Sequence, residues 1–476
     1  MTKYIFLFLI SVSFIACKST VSSSDIFEKG SVSEPSTTTE PSVSEPSVTS
    51  EPPSVSVVID QFTNYDYISS IANDTLINTN VAKVTHTKNS IPMLGVLISY
   101  NNIQISSDDS IWSAKLFGKE DHQLNHYYLE VSNGKFEFEK ANETNGAIND
   151  GVVSVRLNKN HPDASVDSSD YDSKTHPDLK DALIAIDNEI DFSNYDSDAD
   201  GHITPNELVL TFIIAGYEDS YEGNHVTNGV WAHQYCTSSQ YSPTLDGVTL
   251  MGCQNQGNYA LFGEKHNMRA PSDATIGVIA HELAHSALGL PDLYNTNDET
   301  GGIGLFGIMG AGAWATKNGY EEPGNTPTHF TPWSKIFTGW VTPVEDLGSV
   351  SLAQTATDSY NIIKIPISAN HYYLLENRNN SGYDQGLYSL AGVFDGGVAI
   401  WHINQNKLTY ENFELNNVNG NTNDKGVDLI EAKDTGIDYN TNGGATALFY
   451  KPNMTAFGTK VTNISTIGSI MTLNIN

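Results

Sequence analysis

The sequence predicts an α+β fold in which one buried helix lies against a mostly β sheet, followed by a smaller β-rich, sandwich-like unit. Three observations lead there. Ile276, Ile279 and Leu283, with Leu288 near the end, recur at helical spacing, and Ala280, Ala284 and Ala287 pack between turns. Leu208 to Ala215 is a continuous apolar run rich in β-branched residues, the mark of a strand buried on both faces. Beyond residue 345, short runs such as Ile362-Ile363-Lys364-Ile365 and Ile470 to Ile475 alternate between turns, which suggests a β-sandwich.

Taken in chain order, residues 1–16 carry Lys3, an apolar stretch from Tyr4 to Ile15, and Ala16. That is a signal peptide, too short for a spanning helix. Phe14-Ile15-Ala16-Cys17 resembles a lipobox, which would make Cys17 a lipidated mature N-terminus; the alternative is ordinary cleavage and release. Residues 17–57 repeat Ser-Glu-Pro, as in Ser33-Glu34-Pro35 and Ser44-Glu45-Pro46, and cannot bury a core. They predict an extended tether. Residues 58–90 are poorly patterned and fit a pro-segment or N-terminal extension. Beyond residue 57 about 420 residues remain, enough for two packed domains, placed at 91–345 and 346–476.

Within the first, Pro177 opens an apolar helical stripe of Leu179, Leu183, Ile186 and Ile190. Next comes Asp196-Ser197-Asp198-Ala199-Asp200-Gly201-His202-Ile203-Thr204-Pro205-Asn206-Glu207. This twelve-residue pattern fits a calcium loop: oxygens at positions one, three, five and twelve, Gly201 at the sharp turn, and His202 contributing its backbone carbonyl. Because a strand rather than a helix follows, calcium would staple a helix to the sheet. Ser272 and Asp273 are expected to cap the later helix and form its first turn, and Gly289 with Pro291 to end it.

That helix carries His281-Glu282-Leu283-Ala284-His285. Histidines four residues apart stack on one helical face, where both can bind one zinc ion. Glu282 then sits beside the open metal position, placed to take a proton from water. A buried His pair flanking a Glu is costly unless something binds it.

Composition bounds the partners. The chain has 476 residues and a net charge of −32, which argues against nucleic acid and favours solubility outside the cell. In the mature body only Cys236 and Cys253 remain, and an even pair in an exported protein is read as a disulfide.

In this order the motifs resemble the immune inhibitor A family of bacterial secreted metalloproteases, over nearly all of 91–476. The residues are Met93 to Tyr100, Asn125 to Phe136, Tyr195 to Gly216, and Gly229-Val230-Trp231-Ala232-His233. They continue with Gly307-Ile308-Met309-Gly310, Pro332-Trp333-Ser334-Lys335, Tyr373 to Arg378, Gly397 to His402, and Leu429-Ile430-Glu431-Ala432. The resemblance implies a zincin-like, metzincin-like catalytic domain with Met309 in a supporting turn beneath the metal. The family usually reads His-Glu-x-x-His-x-x-Gly-x-x-Asp. Here Gly289 and Asp292 each fall one residue later. The third zinc ligand is therefore open between Asp292 and the substitutes Glu299, Glu321 and Glu322, while His329 and His402 are expected to be structural. Tyr294 is the candidate oxyanion donor.

The resulting expectation is a calcium-stabilised, zinc-dependent endopeptidase acting on extracellular proteins, monomeric, and membrane-attached if Cys17 is lipidated. Two other classes stay open: a calcium-stabilised surface adhesin that has lost catalysis, and a different zinc hydrolase. Intact Glu282, which has no evident packing use, argues against the adhesin.

Overall fold

The computed structural model describes residues 89–164, 171–223, 225–295, 302–390, 396–421, 424–430, 455–456 and 459–476. The signal peptide, Cys17, the tether, residues 58–88 and Glu299 lie outside them.

The molecule is mixed α/β. Its central element is β1 (Ser90–Ser99), which pairs in parallel with β2 (Glu137–Lys140), β3 (Val152–Arg156) and β4 (Val209–Glu218). On its other edge β4 pairs in parallel with β5 (Gly229–Val230) and β9 (Tyr259–His266). Two short strands reverse direction against β9: β6 (His233–Tyr235) and β10 (Ser272–Asp273). A small hairpin, β7 (Thr244–Leu245) with β8 (Val248–Thr249), lies in between.

Both faces of this sheet are covered at its centre, which is why β1 and β4 read as long, mostly apolar runs. Along β1, Ile91, Met93 and Leu97 point to one core, and Leu94, Val96 and Ile98 to another. Along β4 the same alternation puts Val209 and Ile213 on the first face and Leu210, Phe212 and Ile214 on the second. The first face carries α1 (Asp109–Phe117), α2 (Leu124–Val131) and α4 (Ile276–Leu288). The second carries α3 (His176–Ile186), whose Leu179, Leu183 and Ile186 are buried as the stripe after Pro177 predicts.

Helix α4 starts later than expected. Ser272 and Asp273 are strand, not cap and first turn. Lys265 Nζ and Ser107 Oγ donate to the Asp273 carboxylate at 2.5 and 2.7 Å, holding it to the sheet, and Thr275 takes the N-cap position. Gly277 allows the helix to approach the loop above it: a Cβ there would lie 1.9 Å from the Ala313 carbonyl oxygen. Gly289 ends the helix at φ 63°, a left-handed conformation that glycine takes without strain.

After α5 (Pro332–Phe337) come two antiparallel sheets of four strands among the described residues. One joins β11 (Gly348–Ala353), β18 (Ile470–Ile475), β17 (Thr459–Thr462) and β16 (Thr455–Ala456). The other joins β12 (Ile363–Ser368), β13 (His371–Arg378), β14 (Gly397–Asn404) and β15 (Val427–Ile430). Val350, Leu352, Met471 and Leu473 of the first meet Ile363, Ile365, Leu375 and Ile400 of the second in one cluster. The opposite face of the second sheet, with Leu374, Trp401, Ile403 and Leu429, shares a core with α4. The core is thus continuous across residue 345. Among the described residues no helix is long and apolar enough to cross a membrane.

Candidate metal centre and active site

The one-turn offset of His281 and His285 on α4 brings their Nε2 atoms to 3.2 Å. Each ring is oriented from behind. His281 Nδ1 donates to the Ile308 carbonyl at 2.8 Å, and His285 Nδ1 to the Leu290 carbonyl at 2.6 Å. With Nδ1 protonated, both Nε2 atoms present lone pairs to the same point.

Asp292 is the third member. Its Oδ1 lies 3.1 Å from His281 Nε2 and 3.2 Å from His285 Nε2. Helix α4 continues to Leu288, and the Gly289-Leu290-Pro291 turn then swings Asp292 back over the imidazoles, with Leu290 N donating to the Ala284 carbonyl. The extra residue in the spacing is absorbed as helix. The Leu293 amide donates to the Met309 carbonyl at 2.7 Å, so the Ile308-Met309 turn fixes both His281 and the chain after Asp292. Met309 is buried.

The donor set fits a zinc ion. Tetrahedral ligands ~2.0–2.1 Å from an ion lie roughly 3.3 Å from one another, close to the 3.1–3.2 Å found here. Three lone pairs converge, and buried Asp292 Oδ1 has no hydrogen-bond donor. Asp292 is 2 % exposed, whereas the His281 and His285 side chains keep 12 % and 15 %, leaving an approach from solvent. Burial opposes ionisation of Asp292, but His285 and His281 outweigh it and hold its carboxyl far below the usual range. Burial likewise opposes charge on the two imidazoles, and Asp292 overrides it, so both are raised. The cluster attracts positive charge.

Glu282 sits at the next helical position, 7 % exposed. Burial pushes its carboxyl up to about 8; His281 opposes the rise, and Asp292 and Glu218 add to it. The Gln234 amide of β6 donates to it. Glu218, at the end of β4, is fully buried and pushed by burial to about 7, though it accepts from the Gly263, Ala232 and Ser220 amides.

The remaining candidates separate. Tyr294 is buried two residues beyond Asp292. Glu321 accepts from Thr326 Oγ1 at 2.9 Å and from the Lys317 amide, and Glu322 accepts from Tyr221 at 2.7 Å, so neither joins the histidines. His329 is buried between Lys335 and Glu130, and His402 stacks on His371.

On the other face of the sheet, carboxylate oxygens of Asp196, Asp198 and Glu207 lie within 4.8 Å of one another. Asp200 is not in that group; its Oδ1 accepts from the His202 amide. Glu207 accepts from the amides and hydroxyls of Ser197 and Thr204, which closes the loop. Slight burial, then repulsion from Glu207 and Asp200, raises the Asp198 carboxyl. Cys236 and Cys253 form a disulfide that ties the end of β6 to the segment entering β9.

One residue of the site was invisible to motif reading. Asn416, 124 positions beyond Asp292, exchanges two hydrogen bonds with it: Asn416 Nδ2 donates to Asp292 Oδ2, and the Asp292 amide donates to Asn416 Oδ1 at 3.1 Å. No spacing rule links two such positions.

Comparison with known proteins places this geometry. The Pre-pro-metalloprotease PrtV of Vibrio cholerae serotype O1, from two strains, is 30 % identical over 151 residues, which is 30 % of this chain and 15 % of PrtV. The match thus spans under a sixth of that relative. The wild-type OgpA crystal structure from Akkermansia muciniphila is 12 % identical, covers 67 % of this chain and 90 % of its own, and superposes with a TM-score of 0.25. An inactive OgpA bound to an O-glycopeptide covers 61 % and 72 %, with a TM-score of 0.26. The model of the immune inhibitor A peptidase M6 catalytic domain matches residues 104–341, half of the chain, and includes both histidines, Glu282 and Asp292. The chain belongs to the immune inhibitor A (M6) peptidase family.

Proposed function

We propose that the protein is a zinc-dependent endopeptidase that hydrolyses extracellular proteins. The reading rests on one observation above others: His281, His285 and Asp292 converge within 3.2 Å while Glu282 stands beside them on the same helix. His281 Nε2, His285 Nε2 and Asp292 Oδ1 would hold the ion. A zinc ion so held supplies Lewis acidity that polarises the scissile carbonyl and lowers the pKa of water to roughly 7. Glu282 takes the proton of the attacking water and delivers it to the leaving amine nitrogen. A cation beside it favours its carboxylate, the base form, against the effect of burial. The Gln234 amide orients that carboxylate. Among the described residues the sheet ends at β6 in this region, and an extended substrate main chain would lie along that edge. Tyr294 is the proposed oxyanion donor.

In this reading residues 91–345 are a zincin-like catalytic domain and 346–476 a β-sandwich packed against it. The loop of Asp196, Asp198, Asp200, His202 and Glu207 holds a structural calcium ion. The protein is exported as a monomer and tethered to the cell surface by a lipid on Cys17. Metal analysis of the purified protein, combined with casein cleavage with and without chelator, tests the proposal. One zinc per chain and chelator-sensitive cleavage are expected; cleavage that survives full zinc removal overturns it.

A further inference from the structure

The zinc reading raises the question of what holds the third donor still. Asp292 is on an irregular loop, not on α4, and a carboxylate there can rotate. We infer that Asn416 is a positioning residue for Asp292, so that the metal centre is completed from the C-terminal β region, outside the segment matched by the family model.

Both functional groups of the Asn416 amide are used on this one residue. Its Nδ2 donates to Asp292 Oδ2, and its Oδ1 accepts from the Asp292 amide at 3.1 Å. This pairing fixes the carboxylate relative to its own backbone. It also occupies Oδ2, leaving Oδ1 as the atom 3.1 and 3.2 Å from the two imidazoles. Hydrogen-bond partners of metal ligands act in this way, by orienting the ligand.

The support is itself anchored. Asn416 adopts φ 50°, the left-handed region that asparagine tolerates better than most residues. Three residues on, fully buried Asn419 donates to the Leu293 carbonyl at 2.8 Å and to the Val427 carbonyl at 2.8 Å. It also accepts from the Gly426 and Val427 amides. The 416–419 turn is therefore fastened at once to β15 and to the residue after Asp292. Asp292 and Leu293 are clamped from one side by this turn and from the other by Met309, whose carbonyl accepts from the Leu293 amide.

The inference rests on the zinc reading above, and its test separates the two. Zinc affinity is measured by competition with a chromogenic chelator for the wild-type protein, Asn416→Gly and Asn416→Asp. Glycine keeps the left-handed backbone and removes the amide. Aspartate keeps the backbone and an acceptor for the Asp292 amide but loses the donor. Circular dichroism before zinc addition checks that each variant is folded. A positioning role predicts that both variants bind zinc on the order of 10–100-fold more weakly than wild type. A merely conformational role predicts wild-type affinity in both, and affinities within about twofold of wild type overturn the inference. If aspartate disturbs folding, Asn416→Gly alone decides. Failure of the wild-type protein to bind zinc overturns the metal reading itself, an outcome distinct from unchanged variants.

Discussion

Replacing Asp292 by alanine should weaken zinc binding by two to three orders of magnitude. The size follows from the geometry. Three donors converge, separated by 3.1–3.2 Å, and among the described residues no further carboxylate belongs to that group. Glu321 and Glu322 are engaged with Thr326, Lys317 and Tyr221. Structural zinc sites of four ligands bind with about 10–16 kcal/mol. An equal share is roughly 2.5–4 kcal/mol per ligand, or on the order of 10²- to 10³-fold in Kd. The same loss appears in stability. With zinc at a thousandfold its wild-type Kd, binding stabilises the native state by ~4.1 kcal/mol, and a hundredfold weaker variant retains about 1.4 kcal/mol. Chelator competition gives the Kd, and thermal melts with and without zinc give the increment. A variant whose Kd stays within about threefold of wild type, with its thermal increment intact, would refute Asp292 as a ligand.

Further outcomes follow from other parts of the structure. His281→Ala and His285→Ala should each lose bound zinc and casein cleavage together, read by metal analysis and assay of the same sample. Calcium at a hundredfold its Kd should stabilise the protein by ~2.7 kcal/mol; calcium removal with zinc retained should lower Tm, and Glu207→Gln should abolish that response, whereas identical melts would show an acidic turn without an ion. Burial opposes ionisation of Asp384, yet the bidentate Arg378 pair holds its carboxyl below the usual range. Its stabilising contribution is therefore complete above about pH 4, the unfolded value, and is lost as pH falls toward the lower folded value; an Arg378→Met variant should melt lower at pH 7 and show a flatter acid limb. Breaking the Cys236–Cys253 link, which closes a separation of 17 residues, should cost about 3 kcal/mol by the chain-entropy estimate, checked by denaturant melts of the double serine variant.

What the sequence carries locally, it carries well. The four-residue spacing of His281 and His285 is a property of any helix, and Gly289 stops α4 for a local reason, its positive φ. The unbroken run before Ala215 signals a strand covered on both faces, as β4 is. The failures lie where tertiary contacts decide. Ser272 and Asp273 have the composition of a helix start, but Lys265 and Ser107 draw Asp273 into the sheet. The choice among Asp292, Glu321 and Glu322 depends on how one extra residue is taken up after His285, which no pattern encodes. Asn416 and Asn419 are 124 and 126 residues from their partners, a separation that no local pattern encodes. The face of β13 and β14 turned away from the other small sheet joins the core of α4, so a boundary drawn at 345 by strand pattern does not show that core.

In the proposed reaction Glu282 moves the proton at the centre formed by His281, His285 and Asp292. Glu282→Gln tests it most directly, because glutamine keeps the size and an oxygen for the Gln234 amide while removing the base. Zinc content and casein cleavage are measured on the same preparation. Full zinc occupancy is expected, with cleavage reduced on the order of 10²- to 10⁴-fold. A zinc-loaded variant that cuts casein at near the wild-type rate would contradict it.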